Sequence, residues 1–186
     1  QSSPNFTVTV PSATGNKVVV SGTATSSGEI SRSENGRFIL IPGYNALVGD
    51  ANTTFTTNGT VRTLNGSGTI GAGINAGGTL WLSANNNLRG ATSDDGTNYW
   101  ISGGSTGIQA TSNGTTITTV STTSTNTIAI AIFNGQLFYS TGSGTNGIYS
   151  IYNSSPKPII AGTSNATLAA PSTAPYGFSI SPDGLT

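Results

Sequence analysis

The chain has 186 residues, of which 6% are charged, and its six basic and six acidic side chains cancel. So few cations give no basic footprint for nucleic acid and no polybasic cluster for an anionic membrane surface, which excludes both as electrostatic partners. With no His, Cys or Met, the Ser-His-Asp triad, the Cys nucleophile, the usual zinc ligands and haem ligation by His are excluded too.

Polarity comes from hydroxyls instead: 25 Ser and 31 Thr accompany 26 Gly. Thr, Gly and Asn are poor helix formers, and no window repeats apolar residues near every 3.6 positions. No run approaches the ~20 apolar residues of a membrane helix. The composition therefore predicts an all-β protein, long enough for one domain with a real core.

In chain order, Phe6-Thr-Val-Thr-Val10 alternates as a half-buried strand does. Gly15-Asn16 marks a turn, and Lys17-Val-Val-Val20 reads as a short strand. Glu29 to Ser33, a turn at Asn35-Gly36 and Arg37-Phe-Ile-Leu-Ile41 predict a hairpin. Its second strand is apolar on both faces, Phe38 and Leu40 on one and Ile39 and Ile41 on the other, so both faces need cover.

Residues 45–75 are weakly patterned, with Thr60-Val-Arg-Thr-Leu64 the clearest strand, and Thr79-Leu-Trp-Leu82 follows. Ala91 to Gly103 is a second hairpin, with a two-residue primed turn expected at Asp95-Gly96 and a bulky strand at Tyr99-Trp-Ile101. Gly107 to Thr111 and the Thr-rich stretch Thr115 to Thr123 are further strands, the latter expected to be exposed. Ile128 to Phe133, Asn134-Gly135 and Gln136 to Ser140 form a third hairpin, where Ala129 and Ala131 predict close approach of another strand. Ile148 to Tyr152 and Pro158 to Ala161 read as strands, and a fourth hairpin opens around Asp183-Gly184.

The turn glycines Gly36, Gly96, Gly135 and Gly184 are 60, 39 and 49 residues apart. Periods of roughly 40–50 residues with four strands each mark antiparallel four-stranded blades of a β-propeller. Blades are expected at about 28–87, 88–124 and 125–174, with flanking strands at 5–20 and 175–186, in a single domain or part of one. A β-sandwich with several hairpins is the alternative. Three blades fall short of the about four that close a ring. The expectation is therefore a piece of a longer chain, or completion by neighbouring chains through strand addition.

Ser93-Asp-Asp-Gly-Thr-Asn-Tyr-Trp-Ile-Ser-Gly103, Ile132-Phe-Asn-Gly-Gln-Leu-Phe-Tyr-Ser140, Pro175-Tyr-Gly-Phe178 and Ser181-Pro-Asp-Gly184 resemble phrases of secreted bacterial β-propellers with YVTN- and NHL-like blades. The resemblance covers about residues 15–186 and specifies blade construction far better than function. It implies a secreted or surface-exposed propeller, often of seven blades, of which this chain is a fragment.

Candidate chemistry is sparse. Of the six acids, Asp94, Asp95 and Asp183 lie in hairpin turns and Glu34 beside one, where turn chemistry explains them. Glu29, on an inner strand, is the one candidate for a carboxylate-based reaction, which needs a second acid facing it. Ser93-x-Asp95-Gly96 partly resembles the Asp box of sialidase propellers, but its Asp and Gly are adjacent where that box separates them. No catalytic residue is assigned.

Arg32 and Arg89 fall at similar positions before successive turns and are candidates to line a channel and bind a carboxylate or sugar. Trp81 is the open aromatic for stacking on a sugar ring, whereas Trp100 belongs to the core. No spaced calcium loop is present at Asp94-Asp95, and no metal or cofactor is expected. Glycosylation sequons occur at Asn5, Asn52, Asn58, Asn65, Asn113, Asn153 and Asn165, barely more than so hydroxyl-rich a chain gives by chance.

The leading expectation is a non-enzymatic extracellular structural or adhesive propeller, a glycosylated component of a surface assembly or filament that self-associates or continues into further blades. A carbohydrate-binding propeller module is the alternative, and an enzyme built on Glu29 the third.

Overall fold

The computed structural model describes residues 7–50, 59–75, 87–112, 114–162 and 164–181. Among these the structure is all-β, with twelve strands and no helix. β1 (Ser31–Arg32), β2 (Phe38–Tyr44), β3 (Gly59–Asn65) and β4 (Ile70–Asn75) form one sheet in that order. β5 (Leu88–Ser93), β6 (Tyr99–Gly103), β7 (Ile108–Thr111) and β8 (Thr118–Ser121) form the second. β9 (Thr127–Phe133), β10 (Gln136–Thr141), β11 (Ile148–Tyr152) and β12 (Ser164–Ala169) form the third. Neighbouring strands in each sheet are antiparallel. Three sequential four-stranded sheets are the arrangement of propeller blades.

Turn chemistry sets the hairpins. Phe133 pairs with Gln136 across Asn134 (φ 46°) and Gly135 (φ 77°), a two-residue loop with both residues left-handed. Asp95-Gly96 departs from the expected two-residue turn, because Ser93 pairs with Tyr99 and leaves five residues between. Side chains there replace backbone partners. Ser93 Oγ accepts from Gly96 N at 2.9 Å and donates to Asn98 O at 2.6 Å, and Asp94 accepts from Asp95 N and Asn98 Nδ2. Such Asx and Ser bonds stabilise a wider loop.

The sheets pack face to face. Leu40, Tyr44, Val61 and Ile74 of the first meet Ala91, Tyr99 and Ile101 of the second. The other side of the second sheet presents Trp100, Ile108, Ala110 and Val120 to Ile130, Leu137, Tyr139 and Ile151 of the third. Strand β6 therefore sends Tyr99 and Ile101 one way and Trp100 the other, and all three are buried. Trp100 also donates Nε1–H to Pro158 O at 2.8 Å.

One hydrogen-bond device recurs between successive sheets. Ser102 of β6 accepts from Gly90 N (3.1 Å) in its own sheet and donates to Ile128 O of the next. Ser140 of β10 accepts from Ala129 N (3.0 Å) and donates to Pro175 O (2.7 Å). The segment 175–181 thus lies against the third sheet where the first strand of a following sheet would lie. It also explains the small residue at Ala129, which is buried beneath this approach.

Several expectations change. Lys17–Val20 carries no strand, only a bridge from Val19 to Tyr44, and Thr7–Val10 carries none. Pro158–Ala161 is not a strand. Pro158 has no N–H for a ladder, its carbonyl serves Trp100, and Ile159 and Ile160 are exposed, so the outer strand forms later as β12. The Thr-rich stretch is less exposed than expected, since Val120 and Ser121 are buried. Thr79–Leu82 lies outside the described residues. β2 is covered unevenly: Leu40 is buried and Ile41 half-buried, while Ile39 is 42% exposed.

Arg62 lies opposite Ile41 on β3 and is 1% exposed. Its Nε and Nη2 donate to Lys17 O at 3.2 and 3.1 Å, and Nη1 donates to Ala72 O at 2.6 Å. This guanidinium ties the N-terminal segment to the β3–β4 pair through carbonyls alone.

Candidate functional site

The first strand of each sheet lies on the inner side of the stack, and these strands run side by side. Glu29 N donates to Arg89 O at 2.9 Å, Ser31 Oγ to Ala91 O at 2.5 Å and Glu34 N to Ser93 O at 2.9 Å, aligning the β1 segment in parallel with β5. Arg89 Nη1 donates to Thr127 O at 3.0 Å and to Asn126 Oδ1, joining β5 to the start of β9.

This convergence leaves a groove of about 390 Å³ between the β1 segment and β9. One wall carries Glu29, Ser31 and Arg32; the other carries Ala131 and Phe133, with Phe178 beside them. The Phe133 and Phe178 rings are tilted, with centroids 6.1 Å apart. At one end Lys157 Nζ meets the Glu34 carboxylate at 2.5 Å, linking the third sheet's loop to the first sheet's hairpin. At the other end Gly177 approaches Glu29.

Burial pushes the Glu29 carboxyl from 4.5 up to about 7. Its Oε2 is buried and has no hydrogen-bond partner among the described residues. Near neutral pH this carboxyl exists in both protonation states, so it can donate or accept a hydrogen bond. No hydrogen bond among the described residues engages the Arg32 side chain, which is exposed beside Gly36.

The two arginines are not brought together. Glu29, not Arg32, sits opposite Gly90, so Arg32 lies at the hairpin end of the inner strands and Arg89 at the other. Burial lowers the Arg89 pKa, and its contacts to Asn126 and Thr127 are between sheets. The side chains of Asp94 and Asp95 bond within their own turn, while the Asp94 carbonyl accepts from Asn35 N at 3.0 Å. Trp81, Asn5, Asn52, Asn58, Asn113 and Asp183 lie outside the described residues. Asn65 ends β3 just before a turn and Asn153 follows β11 in a bend, while Asn165 lies on β12 opposite Ile151.

Arg62, Ser102, Ser140 and Phe178 escaped the sequence reading. Aligning Tyr99-Trp-Ile-Ser102 with Leu137-Phe-Tyr-Ser140 exposes the serine pair; nothing in the sequence marks Arg62 as buried. Comparison with protein-family models, curated proteins and solved structures gives no match for this chain.

Proposed function

We propose that the chain is a non-enzymatic, extracellular structural or adhesive propeller protein that assembles with further copies of itself. The observation that carries this reading is the pair of open sheet faces. Phe138 occupies in β10 the place that Trp100 occupies in β6, two residues before the bridging serine. Trp100 is 1% exposed beneath the third sheet, whereas Phe138 is only half-buried, and Tyr152 and Leu168 on the same face are 58% and 52% exposed. At the opposite end, Ile39 is open on the first sheet. These apolar faces repeat chemistry that the molecule already buries twice between its own sheets, and zero net charge leaves little repulsion between copies.

The resemblance to secreted propellers supports an extracellular location and membership of a surface assembly or filament. Glycans on the sequons would solubilise such a charge-poor surface. Electron microscopy of the purified protein tests the reading: ribbons or filaments are expected, and Ile39→Lys together with Phe138→Glu should disperse them. Isolated particles at every concentration would overturn it. Intact mass before and after deglycosylation tests the glycan component, with a mass loss expected from the native protein.

A further inference from the structure

We propose that the groove between the β1 segment and β9 binds a neutral saccharide of one or two rings. Its two walls differ in the way a sugar ring's faces differ. Phe133, Phe178 and Ala131 offer an apolar surface for the C–H face, while Glu29, Ser31 and Arg32, with Ile30 among them, stand across from them and bring polar groups for hydroxyls. A volume of about 390 Å³ falls at the small end of ligand pockets.

Hydrogen-bonding capacity is left over on the polar wall. Glu29 Oε2 is buried without a partner among the described residues, and a buried polar atom without one is costly until a ligand or water supplies it. The Arg32 guanidinium brings N–H donors that no described residue uses. Charge argues for a neutral ligand. Arg32 is offset by the ionised form of Glu29 in the same wall, and the Glu34 charge is taken by Lys157. An anion would meet the Glu29 carboxylate, a cation would meet Arg32, and an acyl chain would leave both without polar partners.

The groove lies on the inner side of the stack and the open faces at its two ends, so binding and self-association stand or fall separately. Titration of the whole chain by NMR against glucose, galactose, mannose, N-acetylglucosamine and their β-linked disaccharides is the test. At least one neutral sugar is expected to shift resonances of Glu29, Arg32 and Phe178. Arg32→Ala and Phe178→Ala are each expected to weaken that binding at least tenfold. Arg37→Ala, on the same hairpin but outside this groove, should leave it unchanged. The proposal is overturned if no neutral sugar binds at tens of millimolar, or if binding survives both groove variants. Filaments that persist without sugar binding would overturn this proposal alone.

Discussion

Glu29 is the residue at which burial turns most directly into a measurable property. Its carboxyl titrates near 7 in the folded protein and near 4.5 when solvated, so the folded state holds the extra proton between those values. Stability linked to this group is therefore complete below about pH 4.5 and is lost as pH rises through 7. Thermal melts of Glu29→Gln should match the parent at pH 4 and exceed it at pH 8. An advantage that shrinks with rising pH would contradict the assignment. Arg62 makes a different prediction. Arg62→Leu leaves the Lys17 and Ala72 carbonyls without their donor and should cost about 2–4 kcal/mol in urea unfolding. What separates these residues from Trp100 is legibility. A Trp inside a strand apolar on both faces announces its burial. Burial of a lone Arg depends on carbonyls contributed 45 positions before it and 10 after it, and no local pattern encodes them.

At the scale of elements, the hairpins were legible because their turn residues act locally. Asn134-Gly135 adopts the left-handed pair that its chemistry favours. Asp95-Gly96 placed the hairpin correctly, but its loop length was set by side-chain oxygens of Ser93 and Asp94. The outer strands were harder to read. β4 is Ile-Gly-Ala-Gly-Ile-Asn and β12 is Ser-Asn-Ala-Thr-Leu-Ala, compositions without a firm period. They become strands through their pairing with β3 and β11. The serine bridges link one sheet to the next, and their removal should be felt. Ser102→Ala leaves Gly90 N and Ile128 O without a partner inside the stack and should lower unfolding free energy by about 1–3 kcal/mol. Gly90→Ala places a Cβ 3.0 Å from Ser102 Oγ and 3.1 Å from Ile128 O, which should cost about 1–3 kcal/mol by overpacking. Denaturant midpoints of both variants are the check, and wild-type values would show that the sheets are joined elsewhere.

For the whole molecule, the three sheets are unequal. The second is covered on both sides; the first and third each keep an outer face partly open. Hydrogen exchange should therefore be slowest in β6. The repeat of turn glycines made the stacked, blade-like sheets legible in advance. The groove was not legible, because it depends on how Phe178 returns to β9 from 45 residues away. The central claim is that the outer faces are interfaces. Sedimentation equilibrium of the purified chain over a hundredfold concentration range tests it most directly. The account predicts a weight-average mass that climbs above the 18.6 kDa of one chain and falls back with Ile39→Lys and Phe138→Glu. A single 18.6 kDa species throughout would contradict it.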